Sequence, residues 1–285
     1  MEYNSSSETF AYFLCSNCGT VRNYNPPSER VLSDYYPDEY GAYHLESNRL
    51  SFLLSRLNAI LLGVEKCYYG IPIDTDSHSS SNILDIGCGG GNLASLLQNI
   101  GHKVIGVDAS DRAIQESKNK GIECVKGDTA HVPFIDQTFD VLISSQNLEH
   151  LYSPSTALEN YNRLLRASGK IIIATPNADS LVHKLFGKYW FGGISAPRHL
   201  TIPSMRGLKD SLDRHGFNVI LSRTTFYPSF GRSLFLKISR NYDRAKKSIF
   251  LGLLFVPLDI FFTLIGKGDG LALVSVKKPS NFHRH

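Results

Sequence analysis

The chain reads as an α/β protein organised around a doubly wound, mostly parallel sheet. From residue 82 onward, short apolar runs alternate with helix-length segments, the pattern of successive βαβ units. The first run opens into a glycine-rich turn within NILDIGCGGGNLASLL at 82–97. The second run, KVIGVDAS, closes on an acid, Asp108, about 20 residues beyond that turn.

The runs at 83–86, 103–107, 122–126, 139–144 and 170–175 are expected strands, and 92–100, 112–120 and 155–166 the helices between them. The last of these should end near Gly169, as helices stop at glycine. A helix at 204–215 stops at Gly216 and leads into the strand-like FNVILSRTTF, and GLALVSVKK at 270–278 is a final strand. Ahead of the sheet, residues 1–48 are aromatic and polar, and Pro26-Pro27 breaks any early helix. Residues 50–64 carry apolar positions at helical spacing, and the Ser-rich 74–82 reads as an exposed loop. That loop divides a cap at 1–75 from a main domain at 82–285.

Composition bounds the function. Thirty Lys and Arg against 26 Asp and Glu leave a formal charge of +4, too mild to indicate nucleic acid by itself. With 42% hydrophobic and 20% charged residues, a disordered or collagen-like chain is excluded. The cysteines (Cys15, Cys18, Cys67, Cys88, Cys124) are odd in number and form no regular framework. MEYNSSSETF has neither the basic stretch nor the apolar run of a secretory signal, so a reducing, cytoplasmic setting is expected.

Segment 227–269 separates the last two strands. Its stretch 232–247 holds Arg232, Lys237, Arg240, Arg244, Lys246 and Lys247 against the single acid Asp243. IFLGLLFVPLDIFFTLIG follows directly, but Pro257 and Asp259 inside it argue against a membrane span. Two readings stay open: a buried helix pair packed on the core, or peripheral membrane contact through 232–265.

The glycine turn decides between cofactors. A strand ends at Asp85, and Gly87, Gly89 and Gly91 alternate before a helix begins. Glycines there let backbone N–H groups approach a ligand, and the helix N-terminus favours negative charge. The dinucleotide pattern G-x-G-x-x-G would need a glycine at 92, where Asn92 stands. Asp85 would suit a ligand with a cationic amino group better than a pyrophosphate. Asp108 is placed to accept hydrogen bonds from two ribose hydroxyls, with Ser110 or Asp111 free to cap the next helix. In GDTAHVPF, Asp128 can accept from an exocyclic amine, or equally be an ordinary turn residue.

LDIGCGGG, GVDAS, GDTAHVPFIDQTFDVLISSQNLEHL and LLRASGKIIIATPN, in this order over 82–177, resemble a class I S-adenosylmethionine-dependent methyltransferase. The resemblance implies a seven-stranded sheet of order 3-2-1-4-5-7-6, with the last strand antiparallel, S-adenosylmethionine as cofactor and 227–269 as an insertion. It also implies roles. Gly87, Gly89 and Gly91 would line the methionine moiety and Asp85 would reach its amino group. Asp108 would bind the ribose beside Ala109, Asp128 and Thr129 would hold the adenine edge, and Gln146 would pass under the transferable methyl. WFGGISAPRHLTIPS is similar to a bacterial subgroup with small-molecule or sugar-like substrates, whose members often open with C-x-x-C-G, as Cys15-x-x-Cys18-Gly19 does here. A second cysteine pair is missing, so a degenerate, metal-free knuckle is expected.

Two histidines are candidate general bases for a hydroxyl or amine acceptor: His150 at the carboxyl end of the fourth strand, and His199 in APRHL. For each the alternative is a packed structural residue. Arg198 could anchor an anionic substrate group, and Tyr40, Tyr43 and His44 could close the site, with Tyr43 against the substrate. No catalytic metal is expected, because Gln146 and Asn147 stand where further carboxylates would be needed. The expected activity is methylation of a small molecule: a sugar, a glycan precursor or a lipid-linked intermediate. The competitors are an NAD-dependent oxidoreductase and a non-catalytic cofactor-binding adaptor. Nucleic acid is disfavoured as substrate, since no N-P-P-type tetrad follows the fourth strand.

Overall fold

The computed structural model describes residues 9–36, 49–64, 67–68, 71–72 and 80–279. Strands β1 (Tyr12–Leu14) and β2 (Val21–Asn23) form an antiparallel hairpin, followed by the short α1 (Glu29–Leu32). Helix α2 (Arg49–Leu62) precedes a two-residue ladder of β3 (Cys67–Tyr68) and β4 (Ile71–Pro72). Most of the Ser-rich loop, 73–79, lies outside the described residues, as do Tyr40, Tyr43 and His44.

The main sheet begins with β5 (Asn82–Ile86), α3 (Asn92–Asn99), β6 (Lys103–Asp108), α4 (Asp111–Asn119) and β7 (Glu123–Lys126). It continues with β8 (Phe139–Ser145), α5 (Pro154–Leu164) and β9 (Leu165–Pro176). After α6 (Leu181–Phe186), β10 (Thr201–Ile202) and α7 (Met205–Arg214), the chain adds β11 (Phe217–Thr225). Helices α8 (Phe230–Ser239), α9 (Tyr242–Lys247), α10 (Ile249–Leu254) and α11 (Val256–Leu264) then lead to β12 (Gly270–Lys277). The sheet order is β11-β12-β9-β8-β5-β6-β7, parallel except for β12, which runs antiparallel to both of its neighbours. This is the seven-stranded topology expected of the class I fold.

Two-residue periodicity divides β5 between the faces of the sheet. Leu84 and Ile86 pack with Leu142, Leu158, Tyr161 and Phe217 on one side; Ile83 packs with Leu93, Leu97, Val104 and Ile172 on the other. With both faces covered, the carboxyl ends of β5, β6, β7, β8 and β9 open along one edge, where open α/β sheets take their ligands.

Helix α5 ends at Leu164, two residues short of the expectation, because Leu165 already pairs with Phe139 as the first residue of β9. Ser168 takes a positive φ of 61° just before Gly169, so the turn falls inside the strand rather than at a helix end. β10 pairs with β2, which stitches the N-terminal hairpin to the segment 178–203.

The apolar run 249–265 forms two helices, as one reading held, but they are not buried as a pair. Phe250, Leu254, Phe261 and Leu264 are all more than half exposed. Asp259 is explained by its partner: it is buried, and its carboxylate accepts the backbone N–H of Phe230 at the start of α8.

Candidate active site

After β5 the chain turns through three glycines with left-handed backbone: Gly87 at φ 72°, Gly89 at 52° and Gly91 at 72°. Space is as limiting as conformation. A Cβ on Gly87 would stand 2.7 Å from Asn147 Oδ1, and one on Gly91 2.9 Å from Ser117 Oγ. The loop is pinned to the neighbouring strand, the Gly87 N–H donating to the Val107 carbonyl at 2.8 Å. Below it, Cys88 and Cys124 bring their sulfurs to 3.1 Å over Gly106. Gly87→Ala is expected to cost about 1–2 kcal/mol in backbone strain alone and to displace Asn147. Denaturant unfolding checks the first effect and cofactor titration the second.

Two carboxylates flank this turn. Asp85 is only 2% exposed, and its Oδ2 has no hydrogen-bond partner. Burial, and then the nearby Asp108, push its carboxyl up to about 7. Asp108 accepts the Gly89 N–H at 3.0 Å and the Ser110 N–H at 2.9 Å, while burial raises its carboxyl. Ser110 caps α4 through its hydroxyl, so Asp108 is not spent on that role. A buried carboxylate with an unpartnered oxygen beside a glycine cradle suits a ligand carrying N–H donors.

The third feature follows β8. Glu149 is fully buried and accepts the Thr175 hydroxyl at 2.8 Å through Oε2, while Oε1 has no partner; burial pushes the carboxyl up to about 7. The rings of His150 and His199 lie 4.8 Å apart. His199 Nδ1 is 2.7 Å from the Gly193 carbonyl, and His150 Nδ1 is 3.1 Å from the Arg198 carbonyl and 3.0 Å from the Tyr36 hydroxyl. A carbonyl accepts only from an N–H, so Nδ1 carries the hydrogen on both rings and Nε2 keeps its lone pair. Burial lowers His150 to about 4 and holds His199 well below its ordinary value, so both imidazoles are neutral at pH 7. Arg198 is buried, donating to Ser195 Oγ and lying 5.7 Å over the Tyr36 ring; burial lowers its guanidinium to about 10.

Residues 64–222, more than half of the chain, match the family model described as a methyltransferase domain. The chain belongs to that family. A Mycobacterium tuberculosis protein named a probable S-adenosylmethionine-dependent methyltransferase is 30% identical over 101 residues, 35% of this chain and 37% of that protein. The ubiquinone biosynthesis O-methyltransferase of Idiomarina loihiensis is 28% identical over 158 residues, 52% of this chain and 58% of the enzyme. The chain thus spans less than two thirds of either relative. Among solved structures, a SAM-dependent methyltransferase of Thermotoga maritima superposes with a TM-score of 0.55 at 18% identity, covering 87% of this chain and 99% of that one. The cyclase SpnF reaches 0.54 at 18% identity, covering 89% and 97%. These likenesses establish the fold. The family makes S-adenosylmethionine the cofactor of this methyltransferase domain, and the loop fits it, since a dinucleotide has no use for an orphaned buried acid at Asp85.

The remaining predicted residues fall as follows. Gln146 adopts φ 49° and donates from Nε2 to the Tyr227 hydroxyl at 3.0 Å. Ala109 is exposed beside Asp108. Asp128 accepts the Ala130 N–H at 2.8 Å and lies 2.7 Å from His131 Nδ1, so its carboxylate shapes its own turn. Thr129 is buried and donates to Asn147 Oδ1 at 3.2 Å. Cys15 and Cys18 lie in the β1–β2 turn, which the Ser204 hydroxyl holds by donating to the Cys18 carbonyl. Sequence reasoning missed Asn147, Tyr36 and Tyr227. Asn147 could have been noticed beside Gln146 and Tyr36 stands in the tyrosine-rich 35–43, but Tyr227 carries no local signal.

Proposed function

We propose that the domain methylates a hydroxyl, or in second place an amine, of a small molecule: a sugar, a glycan precursor or a lipid-linked intermediate. The observation that carries this reading is the paired imidazoles of His150 and His199, each with its Nδ1 hydrogen tied to a carbonyl and its Nε2 open to accept a proton. Gly87, Gly89 and Gly91 would line the methionine moiety, and Asp85 would take its amino group. Asp108 and Ala109 would face the ribose, and Asp128 and Thr129 the adenine. Gln146, braced by Tyr227, would border the reacting methyl.

S-adenosylmethionine supplies, when bound, a methyl group already activated on a sulfonium. What the chain must add is alignment of the acceptor oxygen with that methyl, and a place for the departing proton. One histidine Nε2 takes that proton, and the rigid Nδ1 bonds keep the ring oriented. Arg198 would anchor an anionic substituent of the acceptor from its seat on Tyr36. Segments 178–203 and 227–269 would shape the acceptor pocket, and membrane contact through 232–265 would suit a lipid-linked acceptor.

A screen of hydroxyl- and amine-bearing acceptors with methyl-labelled cofactor tests the proposal. Label is expected in a small-molecule product; label found only in nucleic acid or protein would overturn it. A second reading has one observation behind it: Glu149, His150 and His199 place one ligand atom each within 4.8 Å of one another. A divalent cation held there would acidify the acceptor by direct coordination. Turnover surviving exhaustive chelation keeps the imidazole reading; turnover lost and restored by a divalent cation replaces it.

A further inference from the structure

Helices α8, α10 and α11 turn large apolar side chains to solvent. Helix α10 seats against α8 through glycine: a Cβ on Gly231 would stand 2.0 Å from the Leu251 carbonyl oxygen, and one on Gly252 3.1 Å from that of Pro228. With the glycine face turned inward, Ile249, Phe250, Leu253 and Leu254 point outward, at 50%, 76%, 36% and 58% exposure. Helix α11 repeats the pattern. Beside Phe262, which joins the apolar cluster of Trp190 and Ile202, it buries Asp259 and Thr263, whose hydroxyl donates to the Asp259 carbonyl at 2.9 Å and whose carbonyl accepts from Thr224 Oγ1 at 3.1 Å. Phe261, Leu264 and Ile265 stay outside at 53%, 67% and 49%.

A helix on a water-facing surface turns its polar side out. Here glycines and polar groups share the protein-facing side with Phe230, Leu234, Leu258 and Phe262, while large apolar side chains of α8, α10 and α11 face solvent on helices that pack on one another. Such a contiguous patch marks a surface that is covered in use. Its rim settles by what. Lys237, Arg240, Arg244, Lys246 and Lys247 are all exposed around it, with Asp243 the single acid of that stretch. A second copy meeting this patch would bring cations against cations. A layer with apolar depth and anionic headgroups satisfies both features.

We propose that α8–α11 are a docking surface for an anionic lipid bilayer, with the apolar side chains entering the interface and the basic rim on the headgroups. The contact is peripheral: no helix among the described residues is long and apolar enough to cross a membrane. Docking through these helices does not depend on the identity of the acceptor.

Flotation of the full chain with vesicles tests the proposal. One set is phosphatidylcholine alone; the other is phosphatidylcholine with one quarter phosphatidylglycerol. The protein is expected to float with the anionic set, and less at 0.5 M salt. Combining Phe250→Ser, Leu254→Ser and Leu264→Ser should lower the binding constant at least ~10-fold. Lys246→Ala and Lys247→Ala should each lower it about 5-fold. Circular dichroism and cofactor affinity, which these changes should leave as in the wild type, show that the variants are folded. Wild-type protein that floats with neither set overturns the proposal, as does binding that both groups of variants retain. A wild-type dimer that the serine variant dissolves would give the patch to a second copy instead.

Discussion

Replacing both His150 and His199 by alanine is expected to lower turnover by about 10²–10⁴-fold while cofactor affinity stays within a factor of about two, the effect of removing a general base that does not touch the cofactor. The single variants should fall in between, since two imidazoles with rings 4.8 Å apart can partly substitute for each other. Their pH behaviour is distinctive. Burial has lowered His150 to about 4 and His199 well below its ordinary value, so Nε2 is unprotonated throughout the neutral range. At saturating cofactor, turnover should therefore show no acid limb near 6.5, where an ordinary histidine base would place it. Full turnover in both single variants and in the double variant would remove the histidines from the chemistry.

The second large effect belongs to Asp85. Asp85→Asn is expected to weaken S-adenosylmethionine binding by about 10–100-fold, corresponding to the ~1.5–3 kcal/mol of a hydrogen bond to a charged group. The sign of the pH dependence follows from the raised carboxyl. Asp85 loses its proton only near pH 7, held up by burial and by Asp108, and only the ionised form complements an ammonium group. Affinity should thus rise as pH passes upward through about 7 in the wild type, and binding below that pH should release a proton. The asparagine variant should lose most of this dependence. Titration calorimetry in buffers of different ionisation enthalpy measures both quantities.

Much of this was legible in the sequence, for identifiable reasons. The strand positions followed from apolar runs that a parallel sheet buries on both faces, and the turn from glycines whose positive φ no other residue takes cheaply. Asp85 and Asp108 could be singled out because strand ends fix where side chains emerge. The join between α5 and β9 was misplaced because no glycine or proline separates them; tertiary pairing of Leu165 with Phe139 ends the helix. The meeting of His150 with His199 was beyond reading, since 49 residues separate them and the Leu200 N–H donating to the Glu149 carbonyl brings their segments together. Which way α10 and α11 face was equally hidden. An apolar run has the same hydropathy whichever side is outward, and only the glycine contact at Gly231 decides it.

Every role assigned to the site requires that the loop at 85–91 grip a sulfonium nucleoside. Calorimetry of the wild-type chain with S-adenosylmethionine and, separately, with NAD tests this most directly. Saturable heat with the first and none with the second is the predicted result. Heat with NAD alone, or binding of S-adenosylmethionine that Asp85→Asn leaves unchanged, would contradict it.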